Sequence, residues 1–153
     1  TGVQTCALPI LETIDKLVST EHEQLPNQYR LLIGALNALA KHAHASQAIS
    51  ESYVMRALAL AGWTPRLATC VVCGKPERRY FSIASGGVMC EADHTTDARR
   101  IAPLVLSQLD ALIRGDWSVL DNAPLERIVQ ELVEDWGEYY LERPIRSLRL
   151  IDS

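Results

Sequence analysis

Apolar side chains recur at helical spacing along most of this chain, with polar residues between them. Near the C-terminal end, Leu125, Ile128, Val129 and Leu132 are three or four residues apart, which places them on one face of a helix. The opposite face of that stretch is acidic, which is typical of a solvated surface. Helices are predicted at residues 10–20, at 28–44, from 46 or 50 to about 61, at 103–115, and from 124 to the proline at 144.

The middle of the chain has a different pattern. A short run of strand-forming residues at 79–83 is followed by Ser85, Gly86 and Gly87, and then by Val88 and Met89. A glycine-rich turn between two short runs rich in strand formers indicates a β-hairpin. The predicted fold is therefore mainly α, a helical bundle with a small hairpin inserted between its third and fourth helices.

Four possible metal ligands flank this hairpin. Cys70 and Cys73 form a Cys-x-x-Cys pair before it, and Cys90 and His94 form a Cys-x-x-x-His pair after it. Two such pairs, each delivered by a turn, can close a tetrahedron of sulfur and imidazole around Zn²⁺. The sequence predicts a structural zinc ion held by these four residues.

Alternatives to this zinc site remain open from sequence. Asp93 can replace His94 as the fourth ligand, or the site has decayed. Cys70 and Cys73 can instead form a redox pair or a disulfide, although the following Gly74 and Pro76 oppose the helix that usually follows a redox pair. A catalytic zinc needs an open coordination position and a nearby acid or base, and nothing around the cysteines indicates a substrate pocket.

Composition narrows the functional classes. The 153 residues carry a formal net charge of −4, whereas a free-standing electrostatic nucleic-acid binder is normally basic. Three of the four cysteines lie in the candidate metal site, which favours a reducing compartment. No apolar run approaches the length of a membrane span. We expect a soluble, cytoplasmic protein that is not an enzyme, because no catalytic constellation can be argued.

The first ten residues have no helical or strand period and no initiator methionine. They resemble a translated sequencing adapter, and we interpret residues 1–10 as a non-native segment before a fragment of a longer protein. The natural part is then residues 11–153, with a zinc-binding subdomain at residues 66–100.

Several segments, in this order, resemble one family. They are the stretch 58–65 (Leu-Ala-Leu-Ala-Gly-Trp-Thr-Pro), Cys70-x-x-Cys73-Gly74, Phe81-Ser82 with Gly86-Gly87-Val88, and the stretch 140–148 (Tyr-Leu-Glu-Arg-Pro-Ile-Arg-Ser-Leu). Together they resemble the RecO family of bacterial recombination mediators, and the resemblance covers residues 11–153.

The resemblance implies a helical, zinc-bearing domain that follows an N-terminal OB-fold, and this chain matches the helical part only. Members of the family anneal DNA strands and, with RecR, help to load RecA onto DNA coated by single-stranded-DNA-binding protein, so a place at the bacterial nucleoid is expected. Contacts with RecR and with single- and double-stranded DNA are associated mostly with the OB-fold. The family zinc motif usually has a second Cys-x-x-Cys, whereas the position three beyond Cys90 is Asp93 here.

The resemblance also implies a binding site for the acidic, apolar C-terminal tail of single-stranded-DNA-binding protein. Such a tail needs an apolar groove with arginines at its rim, where guanidinium groups grip carboxylates. The candidates by charge are Arg143, Arg146 and Arg149, with Arg99 and Arg100 as secondary ones. The alternative for these arginines is a solvated basic tail, and the alternative for the whole chain is an unrelated zinc-containing helical adaptor.

Overall fold

Helices make up most of the chain in a computed structural model, which describes residues 10–17 and 25–142. The described elements are α1 (residues 10–17), α2 (Leu25–Lys41), α3 (Ser46–Leu60), β1 (Tyr80–Ser82), β2 (Gly87–Met89), β3 (Arg99–Arg100), α4 (Pro103–Arg114), α5 (Trp117–Leu120) and α6 (Arg127–Glu142). The predicted class, mainly α with an inserted hairpin, is confirmed.

Local signals explain where several helices begin and end. Pro103 opens α4, where its missing N–H costs nothing, and Gly115 ends it in a left-handed conformation (φ 67°). Helix α2 begins at Leu25, three residues before the predicted start at residue 28, because Pro26 is tolerated in the first turn of a helix. That helix ends at Lys41, before the predicted residue 44, and His42 beyond it has φ 52°.

Two short elements, β3 and α5, were not predicted from the sequence periodicity. β3 pairs antiparallel with β1, with Arg99 opposite Phe81, and completes a sheet of order β2-β1-β3. A strand of two exposed arginines has no apolar alternation from which to predict it. The four-residue helix α5 is too short to show a helical period.

The central element of the core is α3, which packs against α2, α4 and α6. Ten of its fifteen residues are buried, including polar ones. The buried Ser52 hydroxyl donates to the Leu112 carbonyl oxygen at 2.8 Å, and the buried Gln28 amide donates to the Ala57 carbonyl oxygen at 2.9 Å. These bonds connect α3 to α4 and α2 and satisfy the Ser52 hydroxyl and the Gln28 amide nitrogen, whereas the buried Gln28 amide oxygen has no partner among the described residues.

Aromatic residues of α6 fasten the hairpin to the bundle. The buried Trp136 ring lies 4.3 Å from the Tyr140 ring and 6.0 Å from that of Phe81 in β1. The Tyr140 hydroxyl donates to the Ile83 carbonyl oxygen at 2.6 Å. The indole N–H of Trp136 donates to the Trp63 carbonyl oxygen at 3.4 Å. The inserted module therefore has a fixed position relative to the helices.

We predict that Gly87→Ala destabilises the protein by about 1–3 kcal/mol. A β-carbon at this position would clash with the backbone of Arg66, whose carbonyl oxygen accepts from the Val88 N–H at 2.9 Å. As the control, a β-carbon at Gly34 in α2 meets nothing within 4 Å, so Gly34→Ala should stabilise by about 0.5–1 kcal/mol. Urea denaturation of both variants checks the pair, and equal midpoints would contradict the packing account.

A second prediction concerns Glu51, a carboxyl on α3 that is only 4% exposed. Burial raises its pKa to about 7; a hydrogen bond from Gln47 opposes this rise and the charge of Glu134 adds to it. Because the carboxyl loses its proton at lower pH in the unfolded chain than in the folded chain, the folded state loses stability as pH rises from about 4.5 to about 7.

Glu51→Gln removes this titration. We expect the variant to gain up to about 3 kcal/mol over the parent chain at pH 8, and much less at pH 4.5. Denaturant melts of both proteins across this pH range measure the difference. A difference that does not change with pH would show that Glu51 titrates normally.

Candidate metal centre and arginine groove

A tight turn at residues 70–75 positions the first cysteine pair. The Cys70 N–H donates to the Lys75 carbonyl oxygen at 2.8 Å, and the Gly74 N–H donates back to the Cys70 carbonyl oxygen at 2.9 Å. Gly74 has φ 78°, a conformation that suits glycine. The turn brings the sulfur atoms of Cys70 and Cys73 to the same side.

The second pair of ligands comes from the turn that follows β2, and it is Cys90 with Asp93. The ligand atoms of Cys70, Cys73, Cys90 and Asp93 all lie within 4.8 Å of one another. The sulfur atoms of Cys73 and Cys90 are 3.7 Å apart, and the Cys90 sulfur lies 3.3 Å from Asp93 Oδ2. Tetrahedral zinc spaces two sulfur ligands by roughly 3.8 Å and a sulfur and an oxygen by roughly 3.5 Å. The donor set therefore fits a zinc ion in both chemistry and spacing.

The electrostatics of this cluster also suit a cation. Burial raises the pKa of the Cys70 thiol, but backbone N–H groups of Cys73 and its neighbours more than offset this and lower the pKa to about 7. For Cys73, the Lys75 backbone lowers the pKa, but the nearby Asp93 and the other two thiols raise it to about 11. Hydrogen bonds from Cys73 and Cys90 lower the pKa of Asp93. The lowered pKa values of Cys70 and Asp93 favour the ionised forms of both side chains, which a divalent cation would neutralise.

The structure does not bring His94, the fourth ligand predicted from sequence, into this cluster. Its Nδ1 lies 2.7 Å from the Glu91 carbonyl oxygen, and its ring stacks on Tyr80 with 3.8 Å between ring centroids. Among the described residues, the possible ligand group contains Asp93 instead. The physical reason is the turn after β2, which directs the side chain three positions beyond Cys90 back toward the sulfur atoms. The three thiols are free, with no disulfide between them.

The predicted partner-binding arginines lie in two places. Arg99 and Arg100 are exposed on β3, and the guanidinium of Arg99 pairs with the Glu131 carboxylate at 3.0 Å. This ion pair connects the sheet to α6, so Arg99 already has a carboxylate partner. Arg143, Arg146 and Arg149 lie outside the described residues.

A groove between α2, α3 and the α4–α5 corner is a second candidate site. It encloses about 650 Å³, and we call it the arginine groove after Arg30 and Arg56, which line it. Both arginines are exposed, and neither forms an ion pair with a carboxylate within residues 10–17 and 25–142. The apolar side chains lining the groove include Leu31, Ala35, Ala38, Ile49, Leu60 and Ile113.

Two polar features distinguish this groove. The Tyr53 side chain is 1% exposed and lines the groove, yet its hydroxyl has no hydrogen-bond partner among the described residues. At one end, His44 stacks on Trp117 with 4.0 Å between ring centroids, and Asp121 holds its Nδ1 at 2.9 Å. Within the described part of the chain, this apolar surface carries two guanidinium groups without an ion-pair partner and a hydroxyl without a hydrogen-bond partner, so it can take an apolar ligand that carries hydrogen-bond acceptors.

Comparison with known proteins assigns the family. The family model described as recombination protein O C terminal matches residues 3–149. The chain belongs to the RecO C-terminal family. A DNA repair protein RecO of Bifidobacterium longum (strain NCC 2705) is 87% identical over 144 residues, which are 94% of this chain and 60% of that protein.

More distant RecO proteins match over the same extent. The protein of Bifidobacterium adolescentis is 56% identical, and that of Thermobifida fusca is 36% identical; each match covers 97% of this chain. They cover 63% and 62% of those proteins, so the chain spans about three fifths of the RecO relatives it matches. Among the described residues, no helix combines the length and apolar content that crossing a membrane requires.

Three cysteines of the possible metal-binding group were predicted from sequence, whereas the arginine groove was not. Asp93 had a usable signal, since it stands three residues after Cys90, the spacing of a Cys-x-x-Cys pair. Arg30 and Arg56 had no such signal in the sequence, because each is a single arginine on a separate helix. Only the packing of α2 on α3 brings them to one groove.

We predict that the metal group binds one zinc ion per chain and that Asp93 contributes more than His94. Asp93→Ala should weaken zinc binding on the order of 10- to 100-fold or more, and His94→Ala should change it little. Competition with a colorimetric zinc chelator measures both variants. Chelation should also lower the melting temperature of the parent chain, because metal binding here contributes to folding.

Cys90→Ser is the matched loss-of-ligand control for this series, since Cys90 is buried at the centre of the group. A chain purified without metal whose melt does not respond to zinc would contradict the prediction. A larger loss from His94→Ala than from Asp93→Ala would restore His94 as the ligand.

Proposed function

We propose that this chain is the partner-binding C-terminal part of a RecO recombination mediator and that it acts by binding rather than by catalysis. Membership of the RecO C-terminal family supports the repair role, and relatives named DNA repair protein RecO match it over nearly its whole length. A mediator of this kind would work at the bacterial nucleoid, in the cytoplasm.

The observation that carries the proposal is the arginine groove. An acidic, apolar protein tail, such as that of single-stranded-DNA-binding protein, needs apolar surface for its side chains and cations for its carboxylates. The groove offers both, since Arg30 and Arg56 flank its apolar walls. Guanidinium groups suit this task because their planar donors match a carboxylate. The buried Tyr53 hydroxyl adds a donor that a bound peptide would satisfy.

The positions of the two arginines favour a peptide over a small anion. Arg30 lies on α2, whereas Arg56 lies on α3 beside the C-terminal end of α4, where a β-carbon on Gly115 would come within 3.2 Å of its Nη1. Between them runs a groove of about 650 Å³, which is larger than a single carboxylate needs. We infer that a peptide lies along the groove and meets the two cations at separate points.

The zinc ion in this proposal is structural. The three thiols and Asp93 supply four ligands, which would leave tetrahedral zinc without an open position for substrate. The ion would fix the two turns that flank the hairpin, and β3 would in turn hold Arg99 against Glu131.

The remaining partners follow from the family resemblance. We propose that RecR and single- and double-stranded DNA are engaged mainly through an N-terminal OB-fold, and RecA loading and strand annealing belong to that larger assembly. The net charge of −4 supports a modest role for this part in DNA contact. An unrelated zinc-containing adaptor remains the second candidate, with the arginine groove receiving a different acidic peptide.

The test is a fluorescence anisotropy titration with a labelled C-terminal tail peptide of single-stranded-DNA-binding protein. We expect saturable binding to the parent chain that Arg56→Glu and Arg30→Glu each weaken by about tenfold or more, because each removes a charge-assisted contact. Arg127→Glu is the matched control, since this arginine on α6 is 92% exposed and lies away from the groove.

Each outcome of this titration assigns the site. Equal losses in all three variants would indicate non-specific charge attraction and contradict the groove as the site. Loss of binding in Arg143→Glu, Arg146→Glu or Arg149→Glu, with the groove variants unaffected, would place the peptide on the C-terminal tail. Absence of binding to the parent chain would favour the unrelated adaptor.

A further inference from the structure

A second crevice lies on another side of α3, between α1 and α6. It encloses about 270 Å³ and shares none of its lining residues with the arginine groove. Its apolar walls include Val54, Val133 and Leu141, and Glu51 lines it from α3. We call it the Glu51 crevice.

The Glu51 carboxylate is the unusual feature of this crevice. It is only 4% exposed, and its Oε1 accepts from the Gln47 side-chain amide at 2.6 Å. Its other oxygen, Oε2, is buried and receives no hydrogen bond from any described residue. A buried carboxylate oxygen without a donor is costly to the fold. The fold therefore keeps a buried acceptor in a residue that lines a cavity, and a bound donor would satisfy it.

The other charges around the crevice are mostly negative. Glu12 of α1 and Glu134 and Glu138 of α6 line it, and among the described residues Lys16 is the one cation that lines it. Lys16 does not donate to Glu51 Oε2, because that atom has no partner among the described residues. Burial and the charge of Glu134 raise the pKa of Glu51, which a cation beside it would reverse. The local field therefore attracts positive charge.

The arrangement does not suit a metal ion. Among the described residues, only Cys70, Cys73, Cys90 and Asp93 form a group of three or more possible ligands with atoms within 4.8 Å of one another. None of the glutamates that line the crevice belongs to this group. One buried carboxylate between apolar walls suits instead a single cation on an apolar stem. Lysine and arginine side chains have this form.

We propose that the Glu51 crevice is a binding site for a lysine or arginine side chain of a partner polypeptide. The apolar stem lies against Val54, Val133 and Leu141, and the cationic head donates to Glu51 Oε2. Glu134 and Glu138 add attraction at the crevice without being its main acceptor. The site is separate from the arginine groove, so its failure would leave the proposed function untouched.

The test uses small probes followed by the amide NMR signals of Ser50, Val54 and Gly137, which line the crevice. We expect n-butylguanidinium or n-butylammonium to shift these signals saturably, whereas neutral n-butylurea does not. At pH 8, where the Glu51 carboxyl is ionised, Glu51→Gln should weaken the binding by about tenfold or more, since it removes the charged acceptor while keeping its shape. Asp135→Asn removes an exposed charge from α6 outside the crevice and should leave the affinity unchanged.

Further measurements keep the test decisive. Glu134→Gln, an exposed position that should not disturb folding, is expected to weaken binding by a smaller factor than Glu51→Gln. Binding that is equal for the neutral probe, or that falls equally in Glu51→Gln and Asp135→Asn, would overturn the proposal. A capped Gly-Arg-Gly or Gly-Lys-Gly peptide should bind more tightly than spermidine, and the reverse order would overturn the assignment to a polypeptide.

Discussion

The burial of α3 on several sides is the constraint on which the rest of the structure depends. This helix lies between α2, α4 and α6, so the bundle has no core without it. Successive side chains of α3 point about 100° apart around the helix axis, so each neighbouring helix packs against a different face. The arginine groove and the Glu51 crevice are two of the spaces that remain where these neighbours do not close completely on α3.

Packing also explains why both spaces contain an unsatisfied polar atom. Tyr53 and Glu51 are two positions apart on α3, so they lie on different sides of the helix and reach different spaces. In each case the side chain is almost fully buried while one oxygen has no hydrogen-bond partner among the described residues. Natural proteins tend to break local packing rules at functional sites, and Tyr53 and Glu51 are two such positions among the described residues; the third, the Gln28 amide oxygen, lines neither space.

The stability of the inserted hairpin, which carries the possible metal ligands, depends on the helical bundle as well as on those ligands. This hairpin is short, with three residues in each of β1 and β2, and such a hairpin is only marginally stable alone. Contacts from α6 supply what the strands lack, through the Trp136 ring and the hydrogen bond of Tyr140 to Ile83. A bound zinc ion would fix the opposite end of the module, where Cys70 and Cys90 are buried in a small cluster of their own.

The sequence by itself determined the longer helices, the hairpin and three residues of the possible metal-binding group, because these depend on spacing within short segments. Helical periodicity, the Gly86-Gly87 turn and the Cys-x-x-Cys pair are all local signals. Tertiary structure decided that Asp93 joins the thiols and that Arg30 and Arg56 share a groove. It also decided that Arg99 pairs with Glu131 and that Glu51 is buried. These features arise from contacts between segments far apart in the chain, and no local pattern encodes which side chains will meet there.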